Sequence, residues 1–418
     1  PPAARARGRR QADEVAAARA RALHEMGAAC GCGSAAKDPG AARGLAQLEQ
    51  GALSLQGRTH LVVVQEGSLV QDLYPQARQA LSLSGQKPLG QQMAFAERMA
   101  ELHPGLEALA SLGLGCVCKK GLKPEGANQD DFCLIHADGV SIFGVFDGHG
   151  PHGGDVASCV RDFLPRQLVK KHDLEDKPAE AEAFEKAFQD AHGHACSTCD
   201  CKLSGTTATL VVHHAEDATL QVAHVGDSRA VLCRKHRGKL IGQELTQDHI
   251  PSVKSESKRI RGSGDGQIRR LEGDSQDRVF LKGKIYPGLT TTRSVGDELG
   301  QRAGVTCKPQ VQAFTKGKKE DWQFLLVCTD GVWQKLSTQE AVDIVGRHDA
   351  ESAQRAAENL ATEAWNRWIS EEENVVDDIT VQCFFFDNPQ RREAVAEAKA
   401  KEKDAKAKDK KGARRGKR

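Results

Sequence analysis

Acidic residues beside short apolar runs are the part of this 418-residue chain best suited to chemistry. Asp147 closes the run Val140–Phe146 and is followed by Gly148-His149-Gly150. Asp227 follows Val225-Gly226, and Asp330 follows Phe324–Cys328 and precedes Gly331. Asp377 and Asp378 precede Ile379–Phe386, and Asp130 and Asp131 precede Phe132–Ile135. A single Asp-Gly is an ordinary turn signal. The whole set is harder to read that way. Strand ends converging on one edge of a sandwich would bring these carboxylates together, and at low effective dielectric they would repel. Divalent cations relieve that repulsion, and all-oxygen ligands favour Mg²⁺ or Mn²⁺ over zinc. Two ions about 3.5–4 Å apart can share a carboxylate and clamp a hydroxide for in-line attack on phosphorus. Glycine after the ligand lets backbone come close to the ion. His149 has the chemistry to deliver a proton near neutral pH, and its other reading is a hydrogen-bonded structural histidine.

These residues need elements to position them. Short runs rich in Val, Ile, Leu and Phe recur at Val140–Phe146, Ala208–Val212, Leu220–Val225, Ala230–Cys233, Phe324–Cys328 and Ile379–Phe386, and they read as strands. Phe184, Ala187, Phe188 and Ala191 share one helical face, as do Ala353, Ala357, Leu360, Ala364 and Trp368. Ser337 with Glu340 reads as a capping box. Strands in pairs with helices set apart point to an α+β layered domain rather than a βαβ wheel.

Residues 1–40 are rich in Ala, Arg and Gly and read as disordered. Residues 41–110 form an extension of unassigned role, with one strand-like run, His60–Val64. Residues 111–388 carry the acidic motifs, and residues 389–418 are a Lys/Ala-rich tail. That tail holds 13 Lys/Arg and 5 Asp/Glu, a net of +8, which leaves −6 for the rest of a chain whose total is +2. A hydrophobic content of 39% with 28% charged residues suits a globular core, and no apolar run reaches the roughly 20 residues needed to span a bilayer. The 13 cysteines form no regular framework, and with no apolar leader visible they are expected to be reduced in an intracellular, cytoplasmic protein.

The motifs resemble those of the metal-dependent protein phosphatases, type 2C. Asn128–Phe132, Val145–Gly150, Ser204–Ala208, Val225–Ala230, Thr246–His249, Thr292–Asp297, Thr329–Trp333 and Asp377–Thr380 follow that family's order over roughly residues 111–388. The resemblance implies a central antiparallel β-sandwich flanked by helices on both faces. It also implies hydrolysis of phosphoserine and phosphothreonine at a binuclear Mg²⁺/Mn²⁺ centre, without a covalent intermediate. Carried over by position, Asp147 bridges both ions, Asp330 and Asp377 hold the first, and the Gly148 carbonyl holds the second. Asp130 acts through coordinated water, and His149 protonates the leaving oxygen.

Three positions depart from the family pattern. Gln129 stands where Glu is common, and a neutral amide there is expected still to order a metal-bound water. In the resembling family a phosphate-binding Arg lies a few residues before the first motif; no Arg is found there, so Lys123, or failing that Lys120, is the cation left for phosphate. Lysine binds it as a point charge without the bidentate fork. Gln334 stands where many members carry an Asp that completes a third, weaker site beside the Asp227 equivalent, so that site is expected to be weakened.

Met26-Gly27-Ala28-Ala29-Cys30 resembles a second start. If translation begins at Met26, Gly27 is a myristoylation candidate and Cys30 and Cys32 are palmitoylation candidates, which would give peripheral membrane attachment. The run His192, His194, Cys196, Cys199 and Cys201 has the composition of a zinc or redox cluster, but it lacks a second ligand pair and reads as a solvated loop with free thiols. The tail has no interleaved aromatics, so no nucleic-acid partner is expected. Phosphoprotein substrates and a monomer are expected. The competing readings are a phosphoprotein-binding pseudophosphatase and a hydrolase of small phosphoesters, and the full aspartate set favours catalysis on phosphoproteins.

Overall fold

The computed structural model describes residues 61–64, 112–123, 127–137, 140–171, 181–372 and 375–387. Gly27, Cys30, Cys32 and the basic tail lie outside the described residues. Contacts divide the chain into two units. One is residues 1–53 with 270–276, and the other, residues 54–269 with 277–418, holds every candidate site residue of the acidic motifs.

Strands β1 (Leu61–Val64), β2 (Leu114–Lys119), β3 (Asp130–Ala137) and β4 (Val140–His149) precede helices α1 (Gly153–Lys171) and α2 (Ala181–Thr198). β5 (Gly205–Thr206), β6 (Ala208–His214), β7 (Thr219–Val225), β8 (Arg229–His236) and β9 (Lys239–Glu244) follow. An excursion then carries α3 (Lys254–Gly262), β10 (Gly266–Arg270), β11 (Asp277–Leu281), β12 (Pro287–Leu289), β13 (Val295–Gly296) and α4 (Glu298–Arg302). The chain returns through β14 (Gln310–Thr315), β15 (Asp321–Cys328), a single turn α5 (Asp330–Trp333), α6 (Thr338–Val345), α7 (Ala353–Glu372) and β16 (Ile379–Phe385).

Two antiparallel sheets stack face to face. One runs β1-β3-β4-β6-β7-β14, with β5 and β13 pairing off the end of β4, and the other runs β2-β16-β15-β8-β9. Their inner faces meet through Leu134, Phe143, Val145 and Val211 on one side and Leu232, Leu325, Val327 and Phe384 on the other. Helices α1 and α2 cover the first sheet, packing Val160, Leu164, Phe184 and Phe188 on Ile142, Leu210 and Val212. Helices α6 and α7 cover the second, packing Val342, Ala357, Leu360 and Trp368 on Val231, Phe324, Leu326 and Val381. This is the expected sandwich with helices on both faces. Burial on both faces explains why its strands read as continuous apolar runs rather than alternating ones. Each fully buried Leu, Val or Phe contributes about 1.5–3 kcal/mol.

The capping box forms: Ser337 Oγ accepts from the Glu340 N–H, and the Glu340 carboxylate accepts from the Ser337 N–H at 2.9 Å. The strand expected at His60–Val64 is β1, and it pairs with β3, so a strand from outside the expected 111–388 domain forms an edge of the first sheet. The expectation of a loop at His192–Cys201 fails. Helix α2 continues to Thr198 because Phe184, Ala187, Phe188, Ala191 and Ala195 bury one unbroken face, which overrides the weak local helix preference around Gly193.

Candidate metal centre

The acidic residues meet at one end of the sandwich because strand register puts them there. Asp130 and Asp147 are directly opposed across β3 and β4. Thr329 N–H donates to the Thr380 carbonyl at 3.1 Å where β15 ends and β16 begins, so Asp330 emerges beside Asp377 and Asp378. Cys328 opposes Arg229, which brings the turn holding Asp227 to the same end. Gly331 closes the approach. A Cβ there would lie 2.0 Å from the Asp378 carbonyl oxygen, so any side chain would push the Asp330 turn away from the Asp377–Asp378 segment.

Carboxylate oxygens of Asp147, Asp227 and Asp330 lie within 4.8 Å of one another. Burial first, then the neighbouring Asp330 and Asp130 charges, holds the Asp147 carboxyl well above the usual carboxylate range. Burial and Asp330 do the same to Asp227. Burial and Asp377 push Asp330 up to about 6. Such a group resists carrying its full charge unless a cation joins it. The donor set is all oxygen, so the residues fit a hard divalent ion.

Asp130 is buried, and its Oδ2 accepts from Thr329 Oγ at 2.8 Å and Thr380 Oγ at 2.7 Å. These bonds join the first sheet to the second at the site. Asp377 falls outside the close trio. It pairs with Lys123, and its carboxylate accepts its neighbour's Asp378 N–H at 2.8 Å. Burial would lower the Lys123 ammonium, but the Asp377 charge outweighs it and the group is raised. Lys123 therefore stands at the aspartate cluster. Gln334 donates its amide to Asp330 Oδ2, so the neutral side chain leans on a carboxylate of the trio. The Gln129 amide nitrogen donates to the Gly150 carbonyl at 2.8 Å.

His149 opposes Gly205 across β4 and β5, and Gly205 opposes Gly296 across β5 and β13. That double register carries the next residue, Asp297, over Gly205 to His149, with Nε2 and Oδ2 2.6 Å apart. A Cβ on Gly205 would lie 2.3 Å from that Oδ2, so only glycine leaves the carboxylate its place. Asp297 is fully buried and sits at φ 51°, a left-handed backbone rare for a side-chain-bearing residue. Ser294 Oγ donates to the same Oδ2 at 2.5 Å, and Oδ1 is buried with no hydrogen-bond partner among the described residues. Burial alone would lower the His149 ring. The Asp297 charge and hydrogen bond outweigh it, and the ring is held above its usual value.

Asp297 and Asp378 are the residues to which sequence reasoning gave no role. Asp378 is buried and accepts from the Gly121 N–H at 2.7 Å and the Gln129 N–H at 2.9 Å. It thereby holds the segments carrying Lys123 and Asp130. Both aspartates sat inside quoted motifs, but the bonds they make depend on pairings far apart in the chain.

Comparison with known proteins agrees with this geometry. Residues 122–372 match the family described as Protein phosphatase 2C. "Probable protein phosphatase 2C 64" of Oryza sativa subsp. japonica is 36% identical over 280 residues, covering 63% of this chain and 63% of that protein, under two thirds of its length. "Probable protein phosphatase 2C 61" of Arabidopsis thaliana is 36% identical over 286 residues, covering 64% of this chain and 83% of that one. Among solved structures, a serine-threonine phosphatase 2C from Toxoplasma gondii has a TM-score of 0.57 at 21% identity, covering 66% of this chain and 94% of the other. A sex determining protein of C. elegans has a TM-score of 0.55 at 19% identity, covering 66% and 65%. At those identities the two structures speak to the fold alone.

Proposed function

The chain belongs to the protein phosphatase 2C family, and from that premise we propose that it removes phosphate from phosphoserine and phosphothreonine in proteins at a centre holding two Mg²⁺ or Mn²⁺ ions. The observation that carries this reading is the convergence of Asp147, Asp227 and Asp330, three carboxylates from separate segments of the chain with ligand oxygens within 4.8 Å of one another. Asp147 would be shared between the ions, Asp330 and Asp377 would hold one, the Gly148 carbonyl would hold the other, and Asp130 would act through water. Bound there, the ions supply Lewis-acid activation of water and neutralise charge at phosphorus.

The chain's own residues do the rest. Lys123 Nζ, on the rim beside Asp377, attracts the incoming phosphate as a point charge. His149, held by Asp297, gives its proton to the departing serine or threonine oxygen. Asp378 keeps the Lys123 and Asp130 segments at the distance these steps need. Asp227 and Asp330 would offer a third ion a site that Gln334 weakens by supplying no negative charge.

Release of phosphate from a phosphoserine peptide tests the reading. Activity is expected with Mn²⁺ or Mg²⁺ and lost in EDTA, and Asp147→Asn is expected to abolish it. Binding of phosphopeptide with no turnover under any metal would favour the pseudophosphatase reading. Gln334→Asp is expected to lower the metal concentration needed for half-maximal rate, and an unchanged requirement would remove the third-site argument. We further propose a monomer in the cytoplasm, with membrane attachment through Gly27, Cys30 and Cys32 if translation starts at Met26. Gel filtration and mass analysis of the native N-terminus test these, and an elution volume for a dimer or an unmodified Gly27 would contradict them.

A further inference from the structure

Among the described residues five large apolar side chains are exposed: Leu122, Ile241, Ile285, Ile369 and Val375. Scattered singly, such residues need no explanation. Two of them are not scattered. Leu122 precedes Lys123, the cation read above as the phosphate anchor, and Val375 stands two residues before Asp377, with which Lys123 is paired. The Leu122 N–H donates to the Val376 carbonyl at 2.8 Å, so the two apolar residues sit on facing segments beside the aspartate cluster.

Register explains the placement. β2 and β16 pair antiparallel with Lys119 opposite Ile379, and the Leu122–Val376 bond continues that register past the paired strands. The next step sets Lys123 across from Val375. Burial alternates along this stretch: Val375 is exposed, Val376 buried, Asp377 partly buried and Asp378 buried. An extended chain sends alternate side chains to one face. Val375 therefore shares a face with Asp377 and with the Lys123 ammonium that Asp377 holds. The two segments are locked together. Asp378 Oδ1 accepts from the Gly121 N–H and Oδ2 from the Gln129 N–H, and a Cβ on Gly121 would lie 2.1 Å from the Val376 carbonyl oxygen. An apolar lip is thus built by the same bonds that place the cation.

We propose that Val375, flanked by Leu122, is a specificity-determining residue of the phosphatase site and takes a bulky aliphatic side chain two residues from the substrate's phosphoserine or phosphothreonine. The spacing sets the number two. An extended chain rises about 3.3 Å per residue, so residues two apart stand about 6.6 Å apart with their side chains on one face. Val375 and Asp377 are separated in that way. A substrate lying along this segment with its phosphate at Lys123 Nζ brings the side chain two residues away level with Val375. The chemistry matches the geometry: the ammonium takes the phosphate as a point charge, and Val375 shields an aliphatic group from water while offering nothing to a charged one. A small phosphoester fills only the phosphate end. The inference rests on the phosphatase reading, because it takes Lys123 as the anchor of the phosphate.

The test uses the full chain with Mn²⁺ and two series of phosphoserine peptides. One series varies the second residue before the phosphoserine and the other the second residue after it, each carrying Gly, Leu, Lys or Glu there. In one series kcat/KM for Leu is expected to exceed that for Gly about tenfold, the scale of burying one aliphatic side chain partway, with the difference in KM. Val375→Ala should erase most of that preference, and Val375→Lys should replace it with a preference for Glu. Gain of a Glu preference separates specificity from local unfolding, which would only erase one. Ile241→Ala should leave the Leu preference intact, since Ile241 is similarly exposed but lies on β9, at the opposite edge of the second sheet from β2. Equal values for Gly and Leu in both series, or a Leu preference that survives both Val375 variants, would overturn the lip. Binding of the same peptides carrying a non-hydrolysable phosphonate, followed by fluorescence anisotropy, separates the lip from the reading beneath it. Turnover with equal Kd for the Leu and Gly phosphonates would sink the lip and leave the phosphatase. A tighter Leu phosphonate with no turnover of any peptide would sink the phosphatase reading and leave the lip.

Discussion

Asp297→Asn isolates the contribution of the buried carboxylate behind His149. The replacement is nearly isosteric, and asparagine tolerates the left-handed backbone at φ 51°, so the fold is expected to survive. What changes is the charge opposite Nε2, now 2.6 Å away. A hydrogen bond to a charged group contributes about 1.5–3 kcal/mol and a neutral one about 0.5–1.5, so the loss is about 1.5 kcal/mol. At about 1.4 kcal/mol per factor of ten, turnover should fall roughly 10- to 30-fold. The fall should depend on the leaving group. A phosphoserine peptide needs a proton at the departing alkoxide, while an aryl phosphate with an acidic phenol does not, so only the first should suffer. The pH profile should shift as well. His149 is held above its usual value by Asp297. A proton donor loses activity as pH rises through its pKa, so removing the anion should move the alkaline limb to lower pH. Rates measured for both substrates across pH would decide it. An equal loss on peptide and aryl phosphate, or an unmoved alkaline limb, would refute the role given to Asp297.

Two other perturbations follow from the same site. The carboxyls of Asp147, Asp227 and Asp330 titrate above their unfolded values, so the stability they contribute is present at low pH and lost as pH rises through the folded values, for Asp330 about 6. Metal-free protein should therefore melt lower from about pH 5 to 8, while the gain in Tm on adding Mg²⁺ should widen, with a ligand at 100 times its Kd adding about 2.7 kcal/mol. A metal-induced gain that is flat or shrinks with pH in scanning calorimetry would contradict this. Lys123→Ala should raise KM for phosphopeptide about tenfold or more, the scale of one charge-assisted bond, and Lys123→Arg should retain or improve it through the bidentate fork. Steady-state kinetics would check both, and an unchanged KM in Lys123→Ala would remove Lys123 from phosphate binding.

Much of the site was legible because its carboxylates stand where apolar runs stop. Asp147 and Asp330 needed only the recognition that Val140–Phe146 and Phe324–Cys328 are strands. The layered fold followed from the paired runs and from the faces of α2 and α7, each of which is buried as read. What stayed hidden depends on register between distant segments. Nothing local to Asp297 says that Gly205 will bring it to His149, because two short pairings settle that, β4 with β5 and β5 with β13. Asp377 and Asp378 stand side by side before the last strand, yet the Asp378 carboxylate turns to the Gly121 and Gln129 amides while Asp377 meets Lys123. The His192–Cys201 run read as a loop because its glycine and polar residues mask a helix decided by tertiary burial.

Counting bound metal tests the account at its centre. Equilibrium dialysis of the full chain against Mn²⁺, with electron paramagnetic resonance of the dialysed protein, should find two tightly held ions with a spin-coupled signal, as expected for ions about 3.5–4 Å apart. In Asp147→Asn the coupled signal should vanish and binding should weaken. A chain that binds no ion tightly, or that keeps a coupled pair without the Asp147 carboxylate, would contradict it.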